Sequence, residues 1–117
     1  MIKFGHIEIF SEDPLKAKDF YTDVLGFEVV EIQHGKFVWL KLAEILILIR
    51  PGENSLSVSE YKFSNTGFVM YTNDLEKTKV ELIKRGIQFK GTDGSESCLT
   101  FNDPDGNWFQ LVNPDHS

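Results

Sequence analysis

Cysteine is nearly absent from this chain. Cys98 is the single one in 117 residues, so no intrachain disulfide can form, and a reducing, cytoplasmic setting is expected. Its place in the alternating segment Ser97-Cys98-Leu99-Thr100-Phe101 reads as that of a buried packing residue rather than a nucleophile. Long apolar runs are missing too. The longest, Ile45 to Ile49, is far short of the roughly 20 residues that span a bilayer, and Met1 to Phe10 is broken by Lys3, His6 and Glu8, so neither a membrane segment nor a secretory leader is expected. Positive charge is in deficit: twelve basic against eighteen acidic residues give a formal charge of −6, which repels nucleic acid and anionic membrane, and neither is expected as a partner. There is no glycine-rich phosphate loop, no nucleophile elbow and no basic stripe, so nucleotide hydrolysis, serine hydrolysis and nucleic-acid binding have nothing to rest on.

What is present is the composition of one globular domain, 41% hydrophobic and 26% charged, long enough to bury a core without staples. The segment Asp103-Pro104-Asp105-Gly106-Asn107 joins a well-marked turn to a final strand. Pro104 fixes its own φ, and Gly106 accepts the positive φ that closes such a turn. In the strand, alternation puts Trp108, Gln110 and Val112 on one face and Phe109 and Leu111 on the other, so Gln110 is a lone polar group within an apolar face.

Taken in order, Ile2 to Phe10 alternates as a strand, with Ile7 and Ile9 opposite His6, Glu8 and Phe10. Asp13-Pro14 opens a helix carried by Ala17, Phe20, Tyr21, Val24 and Leu25 and stopped at Gly26. Phe27 to Gln33 and Lys36 to Leu42 form a hairpin about His34-Gly35, and the uniformly apolar Ile45 to Ile49 reads as a strand covered on both faces. Arg50 to Ser64 is polar and is the best linker candidate, with room for a short helical turn. Thr66 to Thr72 is a strand, Asp74 caps a helix ending at Lys84-Arg85-Gly86, and Ile87 to Lys90, Glu96 to Phe101 and Trp108 to Asn113 are three further strands.

The order strand, helix, three strands therefore occurs twice, which defines an α+β chain of two tandem βαβββ modules: about 1–52, a linker about 53–62, and about 63–117. Gly5-His6-Ile7-Glu8-Ile9-Phe10 lies over Gly67-Phe68-Val69-Met70-Tyr71-Thr72, Gly26 over Gly86, and Ile47-Leu48-Ile49-Arg50-Pro51 over Gln110-Leu111-Val112-Asn113-Pro114. With Gly5-His6-Ile7, Phe20-Tyr21-Thr22-Asp23-Val24-Leu25-Gly26-Phe27 and Asp103-Pro104-Asp105-Gly106-Asn107, the chain resembles the vicinal oxygen chelate superfamily, the glyoxalase, bleomycin-resistance and extradiol-dioxygenase group. The resemblance covers essentially the whole length. It implies curved mixed sheets around a cavity with the helices outside, and usually a homodimer. In metal-using members it implies four ligand positions, which fall here on His6, Ile47, Phe68 and Gln110.

Ile47 and Phe68 cannot coordinate a cation and an amide is a weak ligand, so no bound metal and no other cofactor is expected. The resemblance places His6, Glu8, Phe10, Ile47, Ile49, Phe68, Met70, Trp108 and Gln110 on the cavity wall, with Tyr71 and Thr72 joining according to the face their strand shows. An apolar and aromatic wall with three polar groups suits a small organic ligand, with Glu8 available to a cationic group. The expectation is a small-molecule binding protein of the glyoxalase and bleomycin-resistance type. The alternative is a glyoxalase-like or related enzyme (lyase, isomerase or transferase) using His6, Glu8 and Gln110, with a divalent metal or as a metal-free acid and base site. His34 in its turn and His116 in the tail read as solvated bystanders.

Overall fold

A computed structural model describes residues 1–53 and 57–115; His116 and part of the expected linker lie outside the described residues. The chain divides into two compact units, Met1–Ser55 and Leu56–Ser117.

In the first unit, β1 (Ile7–Ser11), β2 (Glu28–Gln33), β3 (Phe37–Leu42) and β4 (Ile45–Pro51) form a sheet ordered β1-β4-β3-β2. β1 begins later than the sequence suggests, and the residues before it include the well-exposed Ile2 and Phe4. Helix α1 (Pro14–Asp19) starts as its residues require: the Asp13 side chain accepts a hydrogen bond from Lys16 N, and Pro14 occupies the first turn. The helix continues as a π-helical turn over Phe20–Val24, and Gly26 ends it at φ 85°. At the β2–β3 hairpin His34 and Gly35 both have positive φ, 53° and 67°, the geometry whose twist matches that of the flanking strands.

β1 runs parallel to β4 with Ile7 beside Ile47, Glu8 beside Leu48 and Phe10 beside Arg50, while β3 runs antiparallel with Val38 beside Ile49 and Leu40 beside Ile47. Paired residues share a face. Ile7, Ile9, Val38, Leu40, Ile47 and Ile49 therefore form one side, almost wholly buried, and α1 packs on β1, β3 and β4. Glu8, Phe10, Phe37, Trp39, Leu48 and Arg50 form the other. The burial expected on both faces of Ile45 to Ile49 holds for Ile47, Leu48 and Ile49; Leu46 is half-buried and Ile45 exposed, since β1 pairs with β4 only from Ile47 onward.

In the second unit, β5 (Phe68–Tyr71), β6 (Cys98–Asn102) and β7 (Trp108–Val112) form a sheet ordered β5-β7-β6, with α2 (Leu75–Lys84) capped by Asp74 through Lys77 N and closed at Gly86, φ 102°. The strand expected over Ile87 to Lys90 is not one. Lys90 N donates to Thr100 O and Thr100 N to Gly91 O, and Thr92 makes an isolated bridge with Leu99, but Gly91 and Gly94 at φ 90° and 83° turn the chain before a ladder extends. Seven strands are thus seen among the described residues, one short of the doubled pattern. Residues expected in the linker belong to structured elements: Arg50 and Pro51 close β4, and a 3-10 turn spans Tyr61–Phe63. Cys98 is half-buried rather than buried, since it opens β6 beside the Ser95 hydroxyl.

Phe68 stands beside Phe109 and Met70 beside Leu111, while Phe101 stacks on Phe109 with centroids 5.3 Å apart. Val69 and Thr100 flank Gln110 on the opposite face. Both faces of β7 are buried along its whole length.

Candidate functional site

On the open face of the first sheet the chain gathers a connected set of polar and aromatic side chains. His6, just before β1, donates from Nε2 to Glu8 Oε2 at 2.8 Å, and Arg50 Nη1 donates to Glu8 Oε1 at 3.1 Å. Two-residue spacing on an extended chain puts His6 and Glu8 on one face, and the parallel register of β1 with β4 brings Arg50 across to them from 42 residues away. All three side chains remain about a third exposed. The two donors hold the Glu8 carboxyl below the usual carboxylate range, His6 contributing most and Arg50 next.

Aromatic rings frame this triad. The Arg50 guanidinium lies over both the Phe10 and the Phe37 rings, 5.4 and 5.3 Å from their centroids, and the His6 ring meets Trp39 edge to face at 4.7 Å. Trp39 Nε1 in turn donates to Gln33 Oε1 at 3.1 Å. Phe10 is held from below: a Cβ at Gly52 would come within 2.7 Å of Phe10 Cβ, so only glycine lets β4 finish so close under that ring.

In the second unit the polar contacts gather on the face that corresponds to that of Ile47, where Gln110 stands beside Val69. Gln110, 8% exposed, donates from Nε2 to the Tyr61 hydroxyl at 3.2 Å and to Asp93 Oδ2 at 3.3 Å, and Trp108 Nε1 donates to Val58 O at 3.2 Å. Tyr61 also meets Trp108 edge to face at 6.2 Å, and Gly67 has no Cβ because the Tyr61 hydroxyl lies against it. The Asp103 turn sets this strand in place: Asp103 Oδ1 accepts from Asp105 N and Asn107 N, Asp103 Oδ2 accepts from Asn107 Nδ2, and Gly106 takes φ 87°.

The sequence-predicted residues fall into two sets, each described within its own unit. His6, Glu8 and Phe10 come together as expected from alternation, and Gln110 and Trp108 share a face. Ile47 and Ile49 lie on the face opposite Glu8, and Phe68 and Met70 on the face opposite Gln110; the register substitutes Leu48 and Val69 at those points. The halves correspond in register, Ile7 lying beside Ile47 as Val69 lies beside Gln110; in each half the first expected position sits one residue out of step with the last, and one residue turns a side chain to the opposite face. Tyr71 does share the Gln110 face and is mostly exposed. Arg50, Phe37, Trp39, Tyr61 and Asp93 were not anticipated. For Arg50 the available signal was the alternation Leu46, Leu48, Arg50 beyond a helix crossover, which calls for a parallel neighbour.

The donor set does not fit a catalytic metal. Whether the ligand positions are taken as Ile47 and Phe68 or as Leu48 and Val69, two of the four carry no donor atom, and the Gln110 amide is a weak ligand beside a carboxylate. Among the described residues no group of three or more His, Cys, Asp or Glu side chains is gathered to hold a metal ion. Among them, too, no helix is long and apolar enough to cross a membrane.

Each unit thus joins its first and last strands in parallel beside a crossover helix, with a histidine at the mouth of one sheet and a glutamine on the last strand of the other; this is the class of paired βαβββ proteins. The chain belongs to the Glyoxalase/Bleomycin resistance protein/Dioxygenase superfamily, whose family model matches residues 3–111. It is 29% identical to the uncharacterized protein YetH of Bacillus subtilis (strain 168), covering 95% of this chain and 98% of that relative. Among solved structures, lactoylglutathione lyase from Agrobacterium tumefaciens is similar in fold, with TM-score 0.72 and 19% identity over 97% of this chain and 95% of that one. TnmS3, an antibiotic binding protein from Streptomyces sp. CB03234, is likewise similar, with TM-score 0.65 and 23% identity over 97% of this chain and 99% of that one.

Proposed function

We propose that this protein binds a small organic molecule on the open face of its first sheet, without a catalytic metal. The observation that carries the reading is Arg50, whose guanidinium lies over two aromatic rings and is bonded to Glu8 while its side chain stays 37% exposed. A charged group positioned in this way, next to His6, Trp39 and the half-exposed Phe10, supplies orientation and contact area together. An antibiotic binding protein of the same fold supports the choice of class. A ligand screen read by thermal shift and by Trp39 fluorescence, with Trp108→Phe removing the second emitter, tests it. Hits whose affinity ignores substitution of Glu8, Arg50 and Trp39 alike would place the site elsewhere.

A second reading is favoured by one contact. In the neutral imidazole, with Glu8 ionised, the proton sits on Nε2, the atom bonded to Glu8, and Nδ1 carries the lone pair of a base. A metal-free proton transfer from a bound carbon acid would use that atom. Turnover of a screened ligand that is lost in His6→Gln while binding persists would promote this reading. The homodimer is a separate proposal: β2 forms one edge of the first sheet with Val29, Val30 and Ile32 all exposed, and an apolar edge of that kind is protected by pairing. Light scattering that gives a monomer mass at micromolar concentration would remove it.

A further inference from the structure

We infer that the ligand of this face carries an oxyanion, a carboxylate or phosphonate on an apolar body, and that the group docks on Arg50; the inference rests on the binding reading above and reverses the polarity expected from the sequence. There, Glu8 was the charge available to a ligand. In the fold both of its oxygens are committed, Oε2 to His6 and Oε1 to Arg50, and a cation approaching Glu8 would also meet the guanidinium. The other acidic side chains of this sheet's strands, Glu28 and Glu31, stand on β2 opposite Lys41 and Trp39, two strands away from Arg50.

A guanidinium has five N–H donors in one plane. Arg50 commits Nη1 to Glu8, while Nε is buried with no acceptor, and the second terminal nitrogen makes no hydrogen bond among the described residues. The Phe10 and Phe37 rings offer the cation their π faces, which do not replace an acceptor in the guanidinium plane. What remains unmet is the edge formed by Nε and the second terminal nitrogen, the fork whose spacing matches two oxygens of a carboxylate or phosphonate. The terminal nitrogen is reached from the exposed end of the side chain. Nε is buried beside it, so a two-oxygen contact requires a side-chain shift on this face, whereas a contact to the terminal nitrogen does not. Phe10 and Trp39 then receive the apolar body, since the register sets both on this face and both are accessible.

The test uses the full ¹⁵N-labelled chain and four probes sharing one ring: 3-phenylpropionate, benzylphosphonate, 3-phenylpropanamide and 3-phenylpropylammonium. At least one of the two anions is expected to bind tenfold or more tighter than the amide and the ammonium and to shift the Arg50 Nε–H resonance; the ranking of the two anions tells which oxyanion the fork prefers. Arg50→Gln is expected to bring the anions down to the level of the amide. Arg50→Lys keeps the charge without the fork and is expected to lose most of the preference, and it serves if the glutamine variant folds poorly. Amide or ammonium binding as tightly as both anions, with Trp39 shifts, would overturn the oxyanion while leaving the binding face intact. An anion preference that survives Arg50→Gln would overturn Arg50 as its dock. No shift at Trp39 or Arg50 from any probe at millimolar concentration would overturn the binding reading and the inference with it.

Discussion

His6 Nε2 and Glu8 Oε2 lie 2.8 Å apart on one side of an extended segment, so with Glu8 ionised the imidazole donates from Nε2. The same carboxylate holds Arg50 with its other oxygen, so strand alternation and strand pairing meet at one residue.

The Glu8 carboxyl is held below its usual range by His6 first and Arg50 second. Because its folded pKa is depressed, the stability this group contributes is present above its unfolded pKa and is lost as pH falls through the folded value. The Glu8 side-chain ¹³C titration is expected on the acid side of an ordinary glutamate, moving back up in His6→Ala and in Arg50→Gln. A titration unchanged by both substitutions would contradict the observed contacts.

Gly52→Ala puts a methyl group within 2.7 Å of Phe10 Cβ. The expected cost is about 1 to 3 kcal/mol, the scale of overpacking, measured by urea unfolding. Shifted Phe10 and Arg50 side-chain resonances are expected alongside, since the ring under the guanidinium must move.

Asp103 is 5% exposed and accepts from Asp105 N, Asn107 N and Asn107 Nδ2. Asp103→Ala leaves those donors without their acceptor, and a loss of about 1 to 3 kcal/mol is expected in the same assay. A change under half of that would mean the turn is held by its Pro and Gly backbone alone.

Tyr61→Phe removes one acceptor from the Gln110 amide and keeps the ring beside Trp108. A small loss, about 0.5 to 1.5 kcal/mol, is expected. Gly67→Ala, whose methyl group would displace the phenol itself, is expected to cost more and to change Trp108 fluorescence.

Metal analysis of protein purified without chelator or histidine tag is expected to show no stoichiometric zinc, nickel, manganese or iron, because leucine, valine and a weakly ligating amide stand where donors are needed. A stoichiometric metal lost in His6→Ala would restore the metal-dependent enzyme.

Much of the fold was written locally. Asp13 with Pro14, Asp74, Gly26, Gly86 and the Asp103 turn act within a few residues of themselves, so caps, stops and the final turn could be read from residue type and spacing. The same holds for His6, Glu8 and Phe10, whose common face follows from a period of two. The sequence by itself therefore determined the doubled module, its helices and the common face of His6, Glu8 and Phe10. Only the tertiary structure decided the register of β4 against β1 and of β7 against β5, because strand pairing joins residues dozens of positions apart and a slip of one turns each side chain to the opposite face. That register turned Ile47 away from Glu8 and Phe68 away from Gln110, brought Arg50 to Glu8, and let Tyr61 and Asp93 reach Gln110.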